Sequence, residues 1–303
     1  MSFNFISHGR FDMERVYVTG ASGFLGRYLL KYAPKRCRVL GQYRQHPVRA
    51  FQGHVQVVKQ DLLTDDWKSL YDFAPRVIIH TAAQASIDAC QLHPDDAWKV
   101  NYQVTCKLVD VAKKLNARFL FLSSDVIFDG QKGNYQEEDK PVPLNVYAET
   151  KVAAEQYILE HHPDALVIRP ALFYGQSLNG RPSFTEVIYK NLKAGKSVYL
   201  FTDQYRTPVL VNNLATALWE LAESDYRGIL HIGGSQKVSR YEMGLILCEV
   251  FNLPKHLIIP IPSDQANQAA PRPRDCSLNI DRARSVLKTR LLDVRSGLNL
   301  AFH

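Results

Sequence analysis

The sequence has 303 residues, of which 46% are hydrophobic and 22% charged, an ordinary globular composition that excludes a disordered chain. Lys and Arg number 37 against 30 Asp and Glu, and the surplus of +7 is spread along the chain, which argues against nucleic-acid binding. No apolar run reaches the ~20 residues of a membrane span, and none forms a signal-peptide core. The five cysteines include no Cys-x-x-Cys pair. We therefore expect a cytoplasmic protein without a metal site.

Short apolar strands alternate with helices over residues 1–171. Strands are predicted at 15–19, 38–44, 55–60, 76–80, 118–123 and 165–169, and helices at 24–32, 65–73, 95–115 and within 144–161. This alternation is typical of repeated βαβ units, and hence of a parallel sheet covered on both faces. Right-handed crossovers then predict an α/β fold with a doubly wound parallel sheet, the Rossmann arrangement.

The pattern is less regular in residues 172–303. Helices are predicted at 184–194, 211–223 and 240–251 and strands at 197–201 and 228–234, followed by a Pro-rich segment and a last helical stretch. We interpret this part as a smaller C-terminal α/β lobe that binds the substrate. The strand near 228–234 is expected to return to the first sheet, so that a cleft lies between the two lobes.

A glycine-rich turn follows the first strand and opens the first helix. Gly20 permits a tight turn, Gly23 lets the backbone approach a pyrophosphate, and Gly26 lets the helix pack close to the strand. The N–H groups at the start of this helix suit phosphate oxygens. We predict that residues 1–171 form a dinucleotide-binding domain, and that its cofactor contacts in this turn include Ser22, Phe24 and Leu25.

The end of the second strand indicates which dinucleotide binds. A carboxylate there selects NAD, but the sequence reads Gln42-Tyr43-Arg44, and a guanidinium suits a 2′-phosphate. We therefore predict NADP(H), contacted by Arg44, with NAD(H) as the alternative. Further cofactor contacts are predicted at the ends of later strands: Asp61, Leu62, Ala82, Ala83 and Pro170.

A catalytic constellation is predicted from three residues. Tyr147 and Lys151 are four residues apart, so their side chains share one face of a helix. A tyrosine with a reference pKa near ~10 becomes a usable acid or base if an ammonium group lowers its pKa. Ser124 ends the fifth strand, where doubly wound folds place their chemistry, and its hydroxyl is suited to hold a substrate oxygen.

The sequence resembles the extended short-chain dehydrogenases/reductases of the NAD-dependent epimerase/dehydratase type. Within that group it is similar to the dTDP-4-dehydrorhamnose reductase branch, on segments that run over nearly the whole chain. These segments are Ser123-Ser124-Asp125-Val126-Ile127-Phe128-Asp129-Gly130, Pro143-Leu144-Asn145-Val146-Tyr147, Asp203-Gln204-Tyr205-Arg206-Thr207-Pro208 and Arg272-Pro273.

The resemblance implies an oxidoreductase that transfers hydride from NADPH to the 4-keto group of a nucleotide-linked sugar. Tyr147 delivers the proton, and Lys151 and Ser124 complete the catalytic trio. It also implies a nucleotide-sugar substrate as the partner, in a carbohydrate-biosynthesis pathway, and leaves a homodimer open. The substrate contacts expected on this basis are Asp125, Val126, Asn145, Arg206 and Arg272.

Several positions depart from the reductase pattern. The reductases usually have Thr where Ser124 stands, Tyr where Val126 stands, and Gly where Arg206 stands. The sugar is therefore left open, and an epimerase or dehydratase is an alternative. The same branch includes the regulatory β subunit of methionine adenosyltransferase, so a non-catalytic NADP-binding subunit is another. A redox-sensing Rossmann protein without a sugar substrate is the third.

Overall fold

The computed structural model describes residues 14–48, 53–63, 67–178 and 180–302. The strands within these ranges are β1 (Arg15–Thr19), β2 (Arg38–Tyr43), β3 (Val55–Lys59), β4 (Val77–His80), β5 (Arg118–Leu122), β6 (Leu166–Pro170), β7 (Phe173–Tyr174), β8 (Val198–Phe201), β9 (Tyr205–Arg206), β10 (Val209–Leu210), β11 (Gly228–Ile232), β12 (Val238–Ser239) and β13 (Ile258–Ile261).

The α-helices within the same ranges are α1 (Phe24–Lys31), α2 (Lys68–Phe73), α3 (Ile87–Leu92), α4 (Pro94–Ala97), α5 (Val104–Lys114), α6 (Val146–His161), α7 (Phe184–Lys193), α8 (Val211–Glu223), α9 (Arg240–Phe251), α10 (Asp281–Val286) and α11 (Val294–Ala301). Short 3₁₀ turns lie at Asp125–Ile127, Lys255–Leu257 and Ser263–Gln265. No described helix is both long and apolar enough to cross a lipid bilayer.

Seven strands form one sheet in the order β11-β6-β5-β4-β1-β2-β3, and every pair in it is parallel. This confirms the predicted α/β fold with a doubly wound sheet. The chain order reverses between β1 and β4, so a crevice opens there at the carboxyl ends of the strands. β11, from the C-terminal part of the chain, pairs with β6 and forms one edge.

Both faces of the sheet are covered, which explains why its strands are continuously apolar. On one face α1 packs against α8, and the Trp219 indole N–H of α8 donates to the Leu29 carbonyl of α1 at 3.0 Å. On the other face α5 and α6 cover a second apolar cluster that includes Phe119 and Phe121. Rigid packing on both faces holds the strand ends, and therefore the crevice, in place.

The helical region after β4 differs from the single helix expected at 95–115. The chain first forms α3, and α4 then continues through a π-helical segment, Trp98–Gln103, into α5. The segment places Asn101 inward, where it is 1% exposed. π-Helical turns are rare and often lie at functional sites. The helix expected at 65–73 begins at Lys68, and the part of the prediction that falls on 65 and 66 lies outside the described residues.

The C-terminal part builds a separate apolar core around Ile188, Leu192 and Leu247. Three two-stranded sheets frame it: β10 with β7, β12 with β9, and β13 with β8. β13 lies in the segment expected to be Pro-rich coil and contains Pro260. Because β13 pairs with β8 alone, its other edge tolerates a proline. The domain boundary at residue 171 stays a prediction.

Candidate active site

A cleft of about 1340 Å³ runs along the carboxyl ends of the sheet strands and reaches β8, β9 and α9. The structure brings almost every residue singled out in the sequence to its walls. The predicted residues that line it are Gly20, Ser22, Gly23, Phe24, Leu25, Gly26, Arg44, Asp61, Leu62, Ala82, Ala83, Ser124, Asp125, Val126, Tyr147, Lys151, Pro170, Arg206 and Arg272.

The glycine turn is held by close backbone contacts. Gly20 has φ +69°, and a Cβ at this position would lie 2.8 Å from the Ala82 nitrogen. A Cβ on Gly26 would collide with the carbonyl oxygen of Gly20. The buried Gln42 side chain accepts a hydrogen bond from the Gly20 N–H at 3.1 Å and donates to the Gln60 carbonyl. The turn is thus fixed to the ends of β2, β3 and β4.

We expect Gly26→Ala to destabilise the fold and to weaken cofactor binding. The added methyl group meets backbone rather than a movable side chain, so the turn must shift, at a cost of about 1–3 kcal/mol. Urea unfolding and a cofactor titration measure the two effects. Gly53→Ala is the matched control, because a Cβ there meets nothing within 4 Å. Equal stability of the two variants would contradict the prediction.

The start of α1 and the end of β2 offer groups that suit phosphates. Gly23 is the N-cap of α1, no side chain caps the helix, and its first turn contains no acid. Its amide groups are therefore available to an anion. Arg44, just after β2, is exposed and has no hydrogen bond or ion pair with the residues that the structure describes. These groups fit a dinucleotide with an additional phosphate.

Lys151 lines the cleft but is largely buried, 3% exposed. Its ammonium group donates to the Leu122 carbonyl at 2.9 Å and lies 4.7 Å from the centre of the Phe121 ring. Burial lowers the pKa of Lys151 to about 8, against the opposing effect of the nearby Glu155 carboxylate. The ammonium is therefore oriented by the carbonyl at the end of β5 and stays within reach of a bound ligand.

Tyr147 points into the cleft from the first turn of α6 and is 9% exposed. Burial raises the pKa of Tyr147 well above its usual value, although a hydrogen bond with Ser124 acts in the opposite direction. We expected a neighbouring ammonium to lower this pKa. Burial instead raises it, and the group that lowers the pKa of Tyr147 is Ser124 rather than Lys151, whose ammonium lies 5.9 Å from the ring centre. A protonated phenol is the form that can donate a proton.

Ser124 and Asp125 form the turn between β5 and the cleft. The Ser124 hydroxyl accepts from the Val126 N–H at 3.4 Å. Asp125 pairs with Arg206 at 3.3 Å and accepts from the Leu172 N–H at 3.2 Å. Burial raises the pKa of Asp125, and the Arg206 guanidinium partly offsets this. Asp125 thus joins the turn that follows β5 to β9.

Two of the expected substrate contacts are engaged within the protein. Arg206 is 4% exposed, and besides Asp125 it donates to the carbonyls of Tyr205, Arg274 and Pro273. Arg206 lines the cleft, but most of its guanidinium N–H groups already donate to acceptors within the protein. Asn145 does not line the cleft at all.

The Asn145 carbonyl oxygen accepts from the Ala148 N–H, which makes Asn145 the N-cap of α6, and its amide donates to the Pro271 carbonyl at 3.0 Å. An Asn directly before a helix is itself an N-cap signal in a sequence. The Asn145 side chain is therefore engaged within the protein, two residues before Tyr147, and its expected contact with substrate stays a prediction.

Arg272 lines the cleft with a partly engaged side chain. It pairs with Asp88 at 3.0 Å and donates to the Ala270 carbonyl at 3.0 Å. Its side chain is 16% exposed. Since Asp88 is the first-turn acid of α3, this pair joins the C-terminal segment to the helix that follows β4.

A buried polar network lies behind the cleft. His80 accepts from the Thr19 hydroxyl at 2.7 Å and contacts the Thr105 hydroxyl at 3.0 Å. Burial lowers the pKa of His80 to about 3, so the imidazole is neutral and acts as a structural link. Asn101 bonds to Gln84 and, through its amide group, to Thr150 at 3.1 Å, beside Lys151.

Gln204 and Arg240 are among the polar residues of the cleft wall that are not predicted from the sequence. Gln204 is 4% exposed, and Arg240 begins α9. Gln204 lies inside a segment that carries the family resemblance, but nothing in the sequence aims its side chain at the cleft. Within the described ranges, no group of three or more His, Cys, Asp or Glu side chains is placed to hold a metal ion.

The fold and the site together define a class, the Rossmann-fold proteins of the extended short-chain dehydrogenase/reductase type. A glycine turn, a serine after β5 and a Tyr-x-x-x-Lys helix meet in one cleft. Residues 13–303 match the family described as the RmlD substrate binding domain. The chain belongs to that family.

Relatives with different names share this architecture. Methionine adenosyltransferase 2 subunit beta from Bos taurus is 32% identical over 276 residues, 89% of this chain and 81% of that protein. A Sulfolobus tokodaii structure described as a hypothetical dTDP-4-dehydrorhamnose reductase is 34% identical with a TM-score of 0.82, covering 94% of this chain and 99% of that one.

A more distant structure shares the fold. The dTDP-4-dehydrorhamnose reductase from Bacillus anthracis, in complex with NADP, has a TM-score of 0.84 at 21% identity, over 96% of this chain and 99% of that one. At this identity the likeness concerns the backbone. The recognition of the dTDP-4-dehydrorhamnose reductase branch in the sequence is thus confirmed, and that branch holds both reductases and a named subunit of another enzyme.

Proposed function

We propose that the protein is an NADPH-dependent reductase of a nucleotide-linked 4-keto sugar. The observation that carries the proposal is the meeting of Ser124, Tyr147 and Lys151 at the wall of one open cleft, with the glycine turn at its other end. The cleft volume of about 1340 Å³ exceeds that of an ordinary single-ligand pocket, which suits a dinucleotide together with a second ligand. A protein that only binds NADP does not need these three side chains there.

The bound cofactor supplies hydride to the keto carbon. The protein's part is to hold the sugar carbonyl and to provide the proton, so that C=O becomes CH–OH. Ser124 holds the carbonyl oxygen, and the phenol of Tyr147, which burial keeps in its protonated form, gives its proton to that oxygen as negative charge develops on it. The Lys151 ammonium stabilises the phenolate left behind and positions the ribose.

We infer that Arg44 determines the choice between NADP(H) and NAD(H). Its guanidinium is exposed at the end of β2 and unpaired within the described ranges, which supports a contact with the 2′-phosphate of NADP(H). Arg44→Ala is expected to weaken NADPH binding by about 10–100-fold, the loss of one or two charge-assisted contacts, with NADH binding unchanged. Fluorescence titration with both cofactors measures this. Arg38→Ala, at the exposed opposite end of β2, is the control. Better binding of NADH than of NADPH to the wild type would contradict the assignment.

The activity is tested by incubation of the purified protein with NADPH and a panel of dTDP-, GDP- and UDP-linked 4-keto sugars, following the loss of NADPH absorbance. Turnover with one of them supports the proposal and names the base and sugar. No turnover with any member of the panel, together with stoichiometric binding to a methionine adenosyltransferase, would overturn it.

The second candidate is a non-catalytic NADP-binding subunit. It is favoured by the 32% identity to a protein named methionine adenosyltransferase 2 subunit beta. The two candidates differ in what they require of Tyr147. A reductase loses activity when the phenolic hydroxyl is removed, whereas a subunit that only binds NADP retains its partner. Size-exclusion chromatography with a methionine adenosyltransferase catalytic subunit separates them.

A further inference from the structure

Arg240 carries its positive charge at a place where the surrounding protein disfavours a cation. It is the first residue of α9, and the N-terminus of a helix favours anions over cations. Its guanidinium lies in the cleft wall, 4.7 Å from the centre of the Phe184 ring. Burial, followed by the proximity of Arg206, lowers the pKa of Arg240 to about 10. Three separate effects therefore oppose this cation.

The single carboxylate that offsets them is already engaged. Asp125 faces Arg240 but is paired with Arg206 and accepts the Leu172 N–H. Across the described ranges, no hydrogen bond or ion pair involves the Arg240 side chain. Asp125 and Arg206 cancel each other's charge, so the positive charge of Arg240 is left facing the cleft.

Gln204 offers a second unused donor beside Arg240. Its side-chain nitrogen is buried and has no hydrogen-bond partner among the residues that the structure describes, and Gln204 lines the cleft. The Gln204 carbonyl accepts from the Arg240 backbone N–H at 3.2 Å. Antiparallel pairing of β9 with β12, Tyr205 opposite Ser239, holds these two residues next to each other. The Arg240 guanidinium and the Gln204 amide are therefore held next to each other, and neither has an acceptor among the residues that the structure describes.

We propose that Arg240 and Gln204 form an anion-binding subsite that holds a phosphoryl or carboxylate group of the substrate. A buried donor without a partner costs about 1–3 kcal/mol, and a bound anionic oxygen removes this cost. A cation at a helix N-terminus and an unpaired buried donor both depart from the usual rules of stable folds, and such departures are expected mainly at functional sites. The inference rests on the proposed function for the identity of the substrate, and it adds the chemistry that the cleft selects.

Two groups of a nucleotide-linked sugar carry such oxygens. One is the diphosphate, and the other is a carboxylate on the sugar ring. Asp125 directly follows Ser124, so the subsite borders the reacting centre, within the span of one sugar nucleotide. The experiment therefore uses inorganic pyrophosphate and glucuronate as separate probes, with saturating NADP⁺ present so that the cofactor's own phosphate sites are filled.

Isothermal titration of each probe compares the wild type with four variants. Arg240→Met removes the charge and is expected to weaken binding at least tenfold, and Gln204→Glu places a negative charge in the subsite with a similar result. Arg240→Lys is expected to restore most of the affinity. Arg284→Met, an exposed arginine of α10 outside the cleft, should bind both probes as the wild type does.

An effect on pyrophosphate identifies the diphosphate as the occupant, and an effect on glucuronate identifies a sugar carboxylate. If neither probe binds the wild type, or if Arg240→Met binds both unchanged at an unchanged melting temperature, the subsite proposal is wrong. These measurements involve no turnover. An absence of keto-sugar reduction, together with binding to a methionine adenosyltransferase, would overturn the proposed function and leave the anion subsite standing.

Discussion

Tyr147→Phe is expected to lower the reductase kcat by about 10²–10⁴-fold, the contribution of one well-placed general acid. Cofactor affinity should change little, because the ring still packs with Cys90 and Val126 and only the hydroxyl is lost. The measurement is steady-state NADPH oxidation with whichever 4-keto sugar the panel identifies, together with a fluorescence titration of NADPH binding to both proteins.

Tyr157→Phe is the matched control on the same helix. Its hydroxyl donates to Asp110 at 3.1 Å, and Tyr157 is not among the residues that line the cleft. Its activity is expected to equal that of the wild type. Full activity of Tyr147→Phe would show that another group protonates the substrate, and a loss of NADPH binding in that variant would show that the phenol serves the cofactor instead.

Much of the fold could be predicted because each local signal agrees with the global one. The helices α8 and α9 begin and end at the predicted residues. In α9, Ser239 and Glu242 form a capping box that marks its start. The parallel sheet follows from apolar strands that alternate with helices. The cleft follows in turn, because the carboxyl ends of parallel strands meet at one edge.

The elements that the sequence does not predict lack such signals. α3 spans six residues, too few to show a helical period, and its start is marked mainly by the Ser86 hydroxyl, which accepts from the Ala89 N–H. The π-helical segment before α5 has ordinary helix composition. β13 contains a proline, which reads as coil unless its partner strand is known. In each case tertiary contacts outweigh local preference.

In the candidate site, too, some features could be predicted from the sequence and others could not. Tyr147 and Lys151 share a helix face, which four-residue spacing specifies in advance. The Asp125–Arg206 pair joins residues far apart in sequence, and the orientation of Arg240 depends on how α9 meets β9. Charges brought together by packing leave no pattern in the sequence. The side chains proposed to contact the substrate are therefore harder to predict than those proposed to perform the chemistry.

Glu155→Gln is expected to destabilise the protein by about 3–5 kcal/mol, the cost of leaving a buried cation without its counter-charge. Glu155 and Arg169 are both 3% exposed, with Nη2 2.7 Å from Oε2 and Nε 3.1 Å from Oε1. The Ser123 hydroxyl also donates to this carboxylate. Urea unfolding monitored by circular dichroism measures the free energy of unfolding.

Asp164→Asn is the control for ion-pair loss without burial. Its pair with Arg227 is 2.8 Å long, but both side chains are 58% exposed, so its loss should cost no more than about 1 kcal/mol. The double variant Glu155→Leu with Arg169→Met should recover part of the lost stability, because an apolar pair leaves no buried charge. Equal stability of Glu155→Gln and Asp164→Asn would contradict this account.

Glu155→Gln is also expected to affect the proposed reaction, because Lys151 lies one helical turn before Glu155. The Glu155 carboxylate holds the pKa of Lys151 up against burial, at about 8. Its removal lowers the pKa of Lys151 further, so the ammonium is lost at a lower pH than in the wild type. If the reaction needs the protonated form, the alkaline limb of the kcat–pH profile moves to lower pH in Glu155→Gln. An unchanged alkaline limb, in a variant that still folds, would show that the ammonium does not control the rate.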